Sequence, residues 1–257
     1  MKKITKEQTE KFQNLSEPEK IKRLEKAINL LIDVGNVHIQ ILTEHHNSNT
    51  QKEIGFAYFF PTVKSTWENI KFSLFLGGSE YQHFNFFPAR LVCENVFRLE
   101  YYITQKKEMQ NEICLWEMMR VMKRFFDEFG DESFKLQYER ARDDLGEPGK
   151  QYPDITTSDA YKDPFPNMFK LIEDTKLPNS KGFYTHYQFL CESHHGKLLS
   201  LYIAKREDAQ YRRNLLYIFI FCRWLLIITD SHIQRVTKDV IDEAIDTANE
   251  IMFGDVN

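Results

Sequence analysis

Residues 215 to 229 read LLYIFIFCRWLLIIT, fifteen residues with a single charge, Arg223, at their middle. A helix apolar on every face must be covered on every face. A bilayer could cover it, but a span takes ~20 apolar residues, and this run is shorter and interrupted by arginine. The segment therefore predicts a central core helix in a soluble, cytoplasmic protein without membrane association. Arg223 cannot readily shed its proton, so burial obliges it to find acceptors. Glu94 and Glu192, both in apolar helices, are candidate partners, and snorkelling to the surface is the alternative.

The rest of the chain supplies helices to surround that one. Ser16 and Glu19 form a capping-box pattern ahead of an apolar stripe (Ile21, Leu24, Ile28, Leu31, Ile32), predicting a helix over 17–44. EHHNSNTQK reads as a polar loop, and FAYFFP as a short β-like passage before a helix over 62–76 that Gly77 and Gly78 end. Further helices carry ARLVCENVFRLEYYI, EICLWEMMRVMKRFFDEF up to Gly130, and SFKLQYERARDDL up to Gly146. Residues 147–182 hold five of the eight prolines and read as an irregular excursion or lid, with one short helix near 167–175. Helices over 183–204, 207–229 and 237–253 close the chain. The expected fold is all-α, a bundle of about seven main helices in one domain spanning 1–257.

Composition narrows the function classes. The chain is 42% apolar and 28% charged, too apolar for disorder. A net charge of −4 without a long basic run disfavours nucleic-acid binding by bulk charge, though not by a local patch. Cys93, Cys114, Cys191 and Cys222 each sit in an apolar helical pattern and read as buried thiols. The first residues lack the apolar stretch of a signal peptide. No GxSxG, Walker, GxGxxG or HExxH motif appears, so no cofactor is assigned.

Three constellations could carry chemistry. Arg90, Glu94 and Arg98 recur every four residues on one helix face amid apolar neighbours, either as a solvated ion-pair row or as a polar row facing a pocket. Arg223 is the second. The third is YTHYQFLCESHHGK at 184–197, where Glu192 and His195 share a face while His186 and His194 fall on another. Glu-x-x-His recurs at Glu80–His83, and two copies would suit a carboxylate–histidine metal site. Asp230-Ser231-His232 reads as a structural cap at a helix junction.

ARLVCENVFRLEYY followed by a tyrosine-bearing Glu-x-x-His helix resembles uncharacterised bacterial helical proteins loosely related to the HEPN superfamily. The matching positions are Arg90, Glu94, Tyr187 or Tyr184, Glu192 and His195. The HEPN group comprises four-helix-bundle proteins, often dimeric, that include ribonucleases and defence or toxin components. Its ribonucleases carry an arginine, four to six intervening residues and then a histidine, and no arginine here stands at that spacing before a histidine. The resemblance implies a bundle, a homo-oligomer and a defence context.

These observations leave three readings. In one, a pocket binds a nucleotide, RNA or another anion: Arg90, Arg98 and Arg223 meet phosphate, and Glu94, Glu192 and His195 position water or exchange protons. In another, the protein is a non-catalytic interaction module, dimeric, whose polar groups specify packing. The third is a metal-site enzyme.

Overall fold

The computed structural model describes residues 4–48, 56–79, 84–157, 163–175, 180–194, 207–232 and 238–254. They form ten α-helices and no strand: α1 (Lys6–Gln13), α2 (Glu17–Ser48), α3 (Phe56–Gly77), α4 (Phe86–Thr104), α5 (Lys107–Phe129), α6 (Glu132–Asp144), α7 (Met168–Glu173), α8 (Ser180–His194), α9 (Glu207–His232) and α10 (Lys238–Phe253). The fold is all-α.

The apolar segment lies in α9, which packs chiefly on α2 and α4. Leu215, Cys222, Leu225 and Leu226 are fully buried there, and Ile218, Phe219 and Phe221 nearly so. By length and composition α9 could also cross a membrane; here it is packed as a core helix. α2 and α10 close one side, and Arg23 of α2 ties down the end of α10 by donating to the Gly254 carbonyl at 2.7 Å. A second, smaller core lies between α5 and α6, where Leu115, Met119, Tyr138 and Ala141 enclose Ile155. The Tyr138 hydroxyl donates to the Pro153 carbonyl at 2.7 Å. The start of the 147–182 excursion thus lies on the α5–α6 pair, and Phe165, Leu171 and Ile172 bury into the main core. These parts are packed rather than hanging free.

Three local expectations change. FAYFF is helical, and α3 runs through Pro61. The missing proline N–H costs a helical hydrogen bond, but Phe59 and Val63, four apart, are both fully buried, which holds that face against the core. Asp230, Ser231 and His232 form the last turn of α9 rather than a cap. Asp230 is buried and interacts electrostatically with the buried His38 of α2, and the His232 ring lies 4.0 Å from that of Phe59. The expected loop EHHNSNTQK starts inside α2, which continues past 44 to Ser48; ahead of α2, α1 is opened by a reciprocal cap in which Thr5 and Gln8 exchange hydrogen bonds.

Gly35 lies inside α2, where glycine is intrinsically unfavourable. A Cβ there would overlap the ring of the buried Trp67 on α3. The glycine is what lets the indole sit against the backbone of α2.

Candidate functional site

The Arg90–Glu94 spacing produces the ion pair that helical geometry predicts. Arg90 Nε donates to Glu94 Oε1 at 2.8 Å, with the two side chains 24% and 19% exposed. The same oxygen accepts from the Tyr187 hydroxyl of α8 at 3.0 Å. One carboxylate oxygen thus joins a guanidinium and a phenol across the α4–α8 interface. The resemblance left Tyr184 and Tyr187 open, and Tyr187 is the one that reaches Glu94.

Electrostatics defines what this cluster can do. Burial raises the Tyr187 pKa, reinforced by Cys191 and by the charge of Glu94, so its hydroxyl stays protonated and acts as a hydrogen-bond donor. Burial works to lower the Arg90 pKa, but the Glu94 hydrogen bond and charge outweigh it. The bond to Glu94 uses Nε, and a guanidinium carries further donors on its two terminal nitrogens. The neighbouring Cys93 thiol is fully buried, and burial pushes its pKa well up, so it is not a poised thiolate.

Arg98, the third member of the row, does not join this cluster. It donates to Asp163 at 2.6 Å, lies 3.8 Å from Glu117 of α5, and stacks over Phe165 at 5.0 Å. Arg120 completes the group, 2.7 Å from Glu117 and 3.5 Å from Asp163. Two cations and two carboxylates balance one another. The quartet ties α4 and α5 to the excursion, and its geometry is that of a structural fastener.

Arg223 faces elsewhere again. Its electrostatic partner is Asp246 of α10, not Glu94, and its guanidinium lies 5.5 Å from the Phe219 ring. Burial pulls its pKa down while Asp246 opposes the shift. Its Nε is buried without a hydrogen-bond partner among the described residues.

Glu192 lies in the last turn of α8, but its side chain is outside the described residues, as are His195 and the Glu80–His83 pattern. Among the described residues, no three His, Cys, Asp or Glu side chains gather as a metal ion would require. The expected convergence therefore resolves into three places: Arg90 with Glu94 and Tyr187, Arg98 with Asp163 and Glu117, and Arg223 with Asp246.

Sequence reasoning missed a buried amide network. Asn85 Nδ2 donates to the Ser73 carbonyl at 2.6 Å, and Asn214 Nδ2 donates to Asn85 Oδ1 at 3.1 Å, joining α3, the start of α4 and α9. Asn85 reads in sequence as a helix-start residue, and nothing local marks Asn214 as its partner.

No protein-family model matches the chain, and no curated protein or solved structure matches it.

Proposed function

We propose that the protein binds a phosphate-bearing ligand, a nucleotide or an RNA end, at the Arg90–Glu94–Tyr187 cluster between α4 and α8. The observation that carries this reading is the sharing of Glu94 Oε1 by Arg90 and Tyr187 in a partly accessible setting. That arrangement fixes the guanidinium by one edge and turns the other toward the ligand, as phosphate recognition by arginine requires. Glu94 is placed to take a proton from a bound hydroxyl or water once the ligand draws Arg90 away. Glu192 and His195, one and four residues after Cys191 in the sequence, are assigned to the same site in this reading from their helical spacing. The same motif carries the resemblance to the HEPN group, and that kinship is part of the proposal.

A second reading, a non-catalytic module working as a homodimer, is favoured by the apolar side chains exposed on α3 and α4. Phe72 and Phe75 are 49% and 68% exposed, and Leu91 46%. Titration calorimetry with nucleotides and short RNAs separates the two. The first reading expects binding that Arg90→Gln weakens about tenfold, the worth of one charge-assisted contact. Absence of binding together with a stable dimer by light scattering favours the second.

A further inference from the structure

The face of α8 turned away from Tyr187 borders a cavity of about 660 Å³ against α9. Lys181, Thr185, His186 and Phe189 line it from α8, and Arg212, Arg213 and Tyr217 from α9. This volume is within the ~300–1,000 Å³ of small-molecule sites. We propose that this cavity is a second binding site, taking a phosphomonoester carried on a planar ring, of the nucleoside monophosphate class.

Charge supplies the first argument. Three cations and no carboxylate line the cavity, although the chain as a whole is net negative. Arg212 is already paired with Glu17. Lys181 and Arg213 have no carboxylate within ion-pair distance among the described residues, and Arg213 lies over the Phe189 ring at 5.7 Å. Two exposed cations that line one concavity and have no ion pair among the described residues attract a dianion.

The second argument is a buried polar atom awaiting a partner. His186 is only 4% exposed, and its Nδ1 has no hydrogen-bond partner among the described residues. Buried polar atoms are nearly always bonded. His186 lines the cavity wall, and a ligand hydroxyl or amine that met Nδ1 as the ring turned would satisfy it. The wall is also aromatic: the His186 and Tyr217 rings stack with centroids 3.6 Å apart and planes 4° from parallel. The Tyr217 hydroxyl donates to the Gly182 carbonyl at 3.3 Å, which fixes that ring. Cations for the phosphate and fixed ring planes for the body select a phosphate joined to a flat ring over phosphate alone.

The test is calorimetry on the full chain with adenosine monophosphate and with inorganic phosphate, using wild type, Lys181→Gln, Arg213→Gln and Arg90→Gln. Thermal melts check that each variant folds, and both Lys181 and Arg213 are exposed, so neither substitution disturbs the core. The expected result, read in the Arg90→Gln background so that the site between α4 and α8 is disabled, is measurable nucleotide binding, at least several-fold tighter than phosphate, weakened about tenfold by adding Lys181→Gln or Arg213→Gln. No binding at millimolar nucleotide overturns the proposal. So does equal affinity for phosphate and nucleotide, or binding that Arg90→Gln weakens and both cavity variants leave alone. That last pattern would assign the ligand to the Arg90 cluster, so failure here is distinct from failure of the function proposed above.

Discussion

Lowering the pH from 7.5 to 5.0 should destabilise the protein through His186. In the folded chain burial, aided by the charge of Arg213, pulls the pKa of this imidazole down to about 3. In the unfolded chain it titrates near ~6.5. The folded pKa of this base is depressed, so the unfolded state takes up a proton first as pH falls. Stability is fully present above ~6.5 and drains away as pH drops toward 3. At pH 5 the loss comes to about 2 kcal/mol, at 1.36 kcal/mol per pH unit below the unfolded value. The assay is urea unfolding at both pH values in a phosphate-free buffer, comparing wild type with His186→Phe. Phenylalanine keeps a ring against Tyr217 and cannot titrate, and titrations elsewhere cancel in the comparison. Wild type should lose about 2 kcal/mol more than the variant between the two pH values. An equal loss in both would refute the inference that His186 is held neutral by burial.

Three other substitutions probe the bundle. Glu94→Ala leaves the Arg90 guanidinium and Tyr187 hydroxyl without their shared acceptor and should cost about 1–3 kcal/mol in chemical unfolding, nearer the lower end because the pair is partly solvated. Gly35→Ala should destabilise despite alanine's helix preference of ~1 kcal/mol, because its methyl overlaps the Trp67 ring and overpacking costs about 1–3 kcal/mol; a raised melting temperature would mean the indole shifts freely. Asp163→Ala removes the anchor that Arg98 and Arg120 share, and should speed backbone hydrogen exchange in residues 163–167 while α9 exchange stays unchanged.

What the sequence made legible is what helical geometry or covalent neighbours decide. LLYIFIFCRWLLIIT called for a core position, and α9 takes one, although Ile227 is left 41% exposed. α5 ends at Gly130 because that residue takes a φ of 66°, which glycine adopts freely. Arg90 meets Glu94 because four residues along a helix bring them together. Contacts between helices were not legible. Arg98 chose Asp163, 65 residues away, over Glu94, since the excursion folds back onto α4 and α5. Arg223 has Asp246 near because α10 packs along the bundle, and no spacing in the sequence announces that. The FAYFF passage reads as extended for its aromatic content and following proline, yet tertiary burial of Phe59 makes it helix. Of the histidines in YTHYQFLCESHHGK, it is His186, on the other face from the Glu192–His195 pair, that the structure places in the wall of a basic cavity.

The central claim is that ligand is held between α4 and α8 at Arg90, Glu94 and Tyr187. Hydrogen exchange read by mass spectrometry, with and without a saturating short RNA or nucleotide, tests it most directly. The account predicts slowed exchange in residues 86–104, abolished by Arg90→Gln. Protection confined to other helices, or protection in α4 that survives Arg90→Gln, would contradict it.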